Sequence, residues 1–276
     1  MHSNKHMLSK ISQCATYAAG LVLASAAWAA PSWNLNTPGC TQSGSGLGNS
    51  WSCADSGVTA TVTAWAGGTS TNFFKAEAKD NGTSGFGVRN TISTGNDFSG
   101  TAPGYQHSMD NDGYTDLLLF QFSSQVSLNS IVKGWVNTDS DFSLLAYTGT
   151  TTQTTASMQT LMLSKDIATG AGGIAQTSAT TGWKLINDKS FAGTSATGAT
   201  DVTNTTYSSW WILSAYNAGY GGSSQSGLDA GNDKMKIFTV AGTVRSSVPE
   251  PSSLALVGIA TLGFIATRRK QKSALT

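Results

Sequence analysis

Three carboxylates crowd around one glycine in Asp110-Asn111-Asp112-Gly113-Tyr114-Thr115-Asp116. Such crowding costs repulsion unless a cation or turn hydrogen bonds absorb it. Ca²⁺ takes roughly six to eight hard oxygens, often on a turn with Gly. Asp110, Asp112 and Asp116 are therefore candidate calcium ligands. With Gly113 as the sixth loop position, Ser108 falls first and Leu119 twelfth, where an EF-hand needs Asp and Glu. The segment is thus not an EF-hand, and the competing reading is an Asx-rich turn ahead of a strand. Asp139 with Asp141, and Asp229 with Asp233, repeat the idea more weakly.

Other chemistries lack material. Between residues 30 and 247 the only histidine is His107, too little for a His-based zinc site. A Ser-His-Asp triad has only His107, beside Ser108 and Asp110, and no Gly-x-Ser-x-Gly elbow. We read His107 as a surface loop residue. A glycoside hydrolase needs two carboxylates, and Glu77 with an aspartate is the candidate pair. Glu77 lies in Lys75-Ala76-Glu77-Ala78-Lys79, which reads as a solvated face. The expectation is a protein that is not an enzyme. Trp33, Trp51, Trp65, Trp183 and Tyr220 are candidate sugar-stacking rings, but core or disulfide packing is the favoured reading for most of them. The Ser/Thr-rich stretches 148–155 and 190–206 are candidate O-glycosylation loops, or simply polar loops.

These residues need a scaffold. The body, 30–247, holds 10 Lys and Arg against 14 Asp and Glu, a net charge near −4. That balance argues against a nucleic-acid partner. Cys40 and Cys53 are an even pair 13 apart, expected to form a disulfide in an oxidising compartment. Closing a loop that size contributes roughly 3 kcal/mol. Gly, Ser, Thr and aromatics dominate, and Glu77 is the only glutamate before Glu250. This suits short strands rather than long helices. Strands are expected at 58–65, 117–122, 128–136, 142–147, 183–186, 210–216 and 235–244. Residues 158–167 read as helix or strand equally well. The predicted fold is mainly β, an antiparallel β-sandwich of jelly-roll type. Its core is expected to include Leu118, Phe120, Phe122, Ile131, Trp135, Leu144, Trp211, Leu213 and Ile237.

The termini read as addresses. Lys5, His6 and Lys10 precede an apolar run at 15–27, and Ala27-Trp28-Ala29 fits a cleavage site, so 1–29 reads as a secretory signal peptide. At the other end come Val248, Pro249, Glu250 and Pro251, then a mostly apolar run over 252–267, then Arg268, Arg269 and Lys270. The two prolines keep the motif extended. As a helix the run reaches about 24 Å, just under the ~30 Å hydrocarbon core, and spans if the basic residues snorkel. Those residues hold the C-terminus in the cytoplasm.

This order of motif, helix and basic cluster over 248–276 resembles the PEP-CTERM sorting signal of Gram-negative bacteria. The resemblance implies processing by exosortase. The expected route is the general secretion machinery and signal peptidase, transient anchoring in the membrane, and display at the cell surface or release. The body resembles other exosortase-dependent surface proteins more loosely. It does so through residues 110–120, Gly134-Trp135, residues 139–142, residues 210–217 and residues 227–233. That resemblance implies a surface or matrix protein and adds no catalytic residue. The alternatives are a carbohydrate-binding module, with extracellular polysaccharide as partner, and a secreted glycoside hydrolase.

Overall fold

The sheet is organised by one long strand. The computed structural model describes residues 30–67, 73–90, 107–137, 139–164, 182–191, 198–220, 227–228 and 233–245. The expected signal peptide and the 248–276 segment lie outside them. Among the described residues no helix is long and apolar enough to cross a membrane.

In chain order the strands are β1 (Ser32–Asn34), β2 (Cys40–Ser43), β3 (Ser50–Asp55), β4 (Val58–Gly67), β5 (Phe73–Lys75), β6 (Glu77–Asp80), β7 (Phe86–Arg89) and β8 (Met109–Asp110). After these come β9 (Thr115–Val136), β10 (Phe142–Tyr147), β11 (Trp183–Lys189), β12 (Ala199–Asp201), β13 (Ser208–Ala215) and β14 (Lys234–Val244). One helix, α1 (Thr155–Ser164), follows β10.

β9 separates two cores. Leu118, Phe120 and Phe122 face the larger one with Trp33, Leu144, Trp211 and Ile237. Leu117 and Leu119 face the smaller one with Trp65, Leu145, Ile212 and Tyr220. Burial on both faces explains why 117–120 is a continuous apolar run rather than an alternation. The alternation in β4 is the one-sided case: Val58, Ala60 and Val62 are buried while Thr59, Thr61 and Thr63 are half-buried.

The expected 117–122 and 128–136 segments are one strand. Ser123, Ser124 and Gln125 look like a turn, but the partners change there instead. β4 pairs along β9 as far as Phe122, and β14 takes over from Val126. The strands are antiparallel, as expected, but all fourteen join a single sheet rather than two facing ones. Its main path runs β11-β10-β13-β9-β14-β7-β6. Register shifts between Lys236 and Ile237, between Ile237 and Thr239, and between Ala241 and Gly242 increase the local twist and help it curl. Every expected core residue is buried except Trp135, which is half-buried with Lys236 Nζ 5.1 Å from its ring.

α1 resolves the ambiguity over 158–164; residues 165–167 lie outside the described residues. Met158 and Met162, one turn apart, are both buried in the smaller core. Thr154 Oγ1 accepts the Ser157 N–H at 3.1 Å, and Ser157 Oγ accepts the Thr154 N–H at 2.9 Å, so the first turn is capped reciprocally. The disulfide joins Cys40 and Cys53, directly opposite each other on β2 and β3 with Cα atoms 4.2 Å apart.

Candidate functional site

Three carboxylates meet where β10 and β14 begin. Asp139 and Asp141 precede β10, and Asp233 precedes β14. Each offers an oxygen within 4.8 Å of the others, and among the described residues this is the one such grouping of His, Cys, Asp or Glu. Asp141 and Asp233 are fully buried. Bridge pairing of Asp139 with Asp233 sets the chains side by side.

Backbone and amide donors fill the cluster. Asp233 Oδ1 accepts the Asp141 N–H at 2.6 Å, and its Oδ2 accepts Asn111 Nδ2 at 2.5 Å. Asn111 Oδ1 accepts the Asp233 N–H in return, at 3.1 Å. Asp141 Oδ1 accepts the Phe191 N–H at 2.6 Å, and Asp139 Oδ1 accepts the Ser140 N–H at 2.7 Å. The Asp141 carbonyl takes the Tyr216 N–H at 3.0 Å. Segments far apart in the chain are thus pinned to one point, and charge-assisted bonds of this kind are the stronger class.

Lys133 supplies the nearby positive charge. Its side chain reaches in from β9, 1% exposed, donating to Ser140 Oγ at 3.0 Å and lying 3.5 Å from the Phe191 ring centroid. Burial pulls its ammonium down to about 8, against the opposing pull of Asp141, Asp139 and Asp233. Burial first, and then the Asp141 charge, push Asp233 up to about 8. Crowding and burial thus favour a bound proton within the cluster over three full charges. A hard cation would find three of the roughly six to eight oxygens it takes, in competition with the amide donors already bonded there. The arrangement fastens strand ends.

The expected calcium ligands take separate partners. Asp110 is buried on β8. Its Oδ2 accepts the Ser108 hydroxyl at 3.0 Å, and its Oδ1 accepts the Asp112 N–H at 3.2 Å, the bond of an Asx turn. Burial raises it to about 6. Asp112 points outward, its side chain 65% exposed, to Lys234 Nζ at 3.5 Å. Asp116 is fully buried on β9 and accepts Asn90 Nδ2 at 3.0 Å. Asp229 lies outside the described residues. The 139–141 spacing was visible in sequence, but its link to Asp233, Asn111 and Lys133 was not. Only the strand pairing brings those residues in.

Other expectations need correction. Glu77 is not on a solvated face: it is buried and paired with Arg89, its direct neighbour across β6 and β7, with Lys79 Nζ at 3.9 Å. His107 is half-buried, and burial, then Arg89, Lys79 and Lys236, lower its imidazole. Trp33, Trp51, Trp65, Trp183 and Tyr220 are all buried, as core or disulfide packing predicts, and none is an open sugar platform. Trp51 Nε1 donates to the Ala78 carbonyl at 2.9 Å beside the disulfide strands, and Trp33 packs on Phe122 with ring centroids 4.7 Å apart.

No curated protein and no solved structure matches the chain. One family model does: that of the PEP-CTERM protein-sorting motif, over residues 247–270. It spans Val248, Pro249, Glu250 and Pro251 and ends with Arg268, Arg269 and Lys270. β14 stops at Val244, so this segment starts directly behind the folded body. The chain carries a PEP-CTERM protein-sorting motif at its C-terminus, and the motif implies export and exosortase-dependent sorting to the cell surface or beyond.

Proposed function

We propose that the chain is a non-enzymatic exported protein, displayed on the cell surface or built into the extracellular matrix of a Gram-negative bacterium. The motif match over 247–270 is the observation that carries this reading. In it, residues 1–29 direct the chain to the general secretion machinery and are removed by signal peptidase. Residues 252–267 hold the precursor in the membrane, and exosortase acts near Val248–Pro251. The Cys40–Cys53 disulfide supports an oxidising destination. The body supports a structural role: its clustered carboxylates accept bonds that hold chain segments, and Glu77 is engaged by Arg89.

Intact mass and cell fractionation test the proposal in the native host, with and without exosortase. The expected product ends near Pro249–Pro251 and leaves the membrane only when exosortase is present. Glu250→Ala should leave the uncut precursor in the membrane. A precursor that keeps its C-terminal segment in both strains would make that segment an ordinary anchor and sink the proposal.

A further inference from the structure

The geometry points to a binding pocket for one neutral saccharide unit at the C-terminal end of β10, a site independent of the sorting signal. A cavity of about 240 Å³ opens there between the loop after β10 and the start of β13. It is lined by Tyr147 and the buried Trp210, by Gln125, Gln153 and Ser209, and by the threonines at 150–152. No charged side chain among the described residues lines it.

That inventory selects the ligand class. An ionised ligand would lose its hydration and find a charge only at the rim, where Arg245 is already bonded to Gln125. A wholly apolar ligand would leave hydroxyls and amides unpaired, the costly outcome for a polar wall. A neutral polyhydroxylated ring satisfies both constraints, because its hydroxyls meet the polar groups and it brings no charge to be left unpaired. The volume is below the roughly 300–1,000 Å³ of drug-sized pockets. It fits a single small ring, such as a chain terminus or a branch.

The pocket is set before any ligand arrives. Tyr147 is clamped between two glycines. A Cβ at Gly149 would lie 2.5 Å from its hydroxyl oxygen, and one at Gly182, where φ is +79°, 2.4 Å from its Cε2. Trp183 meets the same ring edge-on at 5.6 Å. Gln153 Nε2 donates to the Tyr147 hydroxyl at 2.7 Å while its Oε1 accepts from Ser157 at 2.8 Å. The phenol proton is therefore turned away from Gln153 and available as a donor. At the rim, Arg245 Nη1 donates to Gln125 Oε1 at 2.7 Å, which orients that amide with its NH₂ free to donate. Fixed donors on a fixed ring reduce the ordering cost of binding.

The test uses the full-length chain in detergent and isothermal titration calorimetry. The probes are the methyl glycosides of glucose, galactose and mannose, N-acetylglucosamine, and glucuronate as the anionic counterpart. A single ring of ordinary ligand efficiency binds at about 1 mM. The expected result is saturable binding of at least one neutral probe in that range, with glucuronate at least tenfold weaker. Tyr147→Phe keeps the ring and removes the donor, and should weaken binding about tenfold. Gln125→Ala, on the exposed rim, should weaken it severalfold with an unchanged unfolding midpoint. The proposal is overturned if no neutral probe binds, if glucuronate binds as well as the neutral probes, or if neither substitution alters binding. None of these outcomes bears on exosortase processing.

Discussion

At its N-terminal end β10 emerges from three carboxylates and a buried lysine; at its C-terminal end, one short strand away, it runs into a pocket walled by hydroxyls, amides and rings. The first end is closed. Asp141 and Asp233 are fully buried, and their bonds go to Phe191, Asn111 and the backbone of Asp141 itself. The second end is open and uncharged, and its bonds fix a shape rather than fill it. Charge is confined to the place where it holds the chain together, and the neutral polar surface is left to face solvent. Buried charge is costly to break but contributes little as bait for a neutral ligand. Fixed neutral donors do the reverse.

Breaking the closed end should cost most. Asp141→Ala strips the Phe191 N–H of its acceptor and leaves Lys133 facing fewer carboxylates. We expect a loss of about 3–5 kcal/mol in urea unfolding. A loss below about 1 kcal/mol would mean that the cluster does not fasten the strands.

The pH profile sharpens the same contrast. Asp233 is raised in the folded state from 3.8 to about 8, so between those values the native chain holds a proton that the unfolded chain has released. Stability therefore falls as pH rises from about 4 to about 8. Asp110, raised to about 6, adds to the lower part of that limb. Lys133 is lowered from 10.5 to about 8, so the unfolded chain holds the extra proton above pH 8 and stability recovers toward 10.5. The melting temperature should pass through a trough near pH 8, roughly 5–10 °C below its acid-side maximum. Asp233→Asn, which imitates the protonated acid, should flatten the acid limb and leave the alkaline one. A melting temperature flat between pH 5 and 8 in the unmodified chain would contradict this account.

At the open end, Gly149→Ala forces a methyl against the Tyr147 hydroxyl oxygen. Repacking should cost about 1–3 kcal/mol and change the near-ultraviolet circular dichroism of Tyr147 and Trp183. An unchanged spectrum and stability would show the ring to be loosely held. The smallest effect belongs to Asp112→Ala. Its partner Lys234 is 3.5 Å away and its side chain is largely in water, so the change should stay within about 0.5 kcal/mol by denaturant titration. A cost like that of Asp141→Ala would erase the distinction between exposed and buried carboxylates drawn here.

The sequence disclosed these regions unequally. β4 announced itself through Val58, Ala60 and Val62 because one of its faces is buried and the other is not. The run at 117–120 marked a central strand, since only burial on both faces tolerates it. β2 and β3 were hidden because most of their side chains are polar and face outward, and their place is fixed by a disulfide and by pairing rather than by an apolar pattern. One sheet rather than two followed from partners that change along β9, a long-range fact with no local signature. Asp139 and Asp141 were legible as a pair. Asp233, 92 residues from Asp141, joins them through strand pairing alone. Tyr147 carried no mark beyond ending a strand, whereas the tryptophans are buried as their favoured reading had them.

β14 lies between β9 and β7 and also pairs with β1, near the other end of the body. It is the last strand before the motif. A chain threaded from its N-terminus across a membrane delivers that strand after every other. Until it arrives, β9 lacks its partner over 126–136 and β1 lacks its neighbour altogether. Closure of the larger core therefore waits on the final stretch of translocation. The body therefore completes its larger core only with the strand that directly precedes the sorting motif.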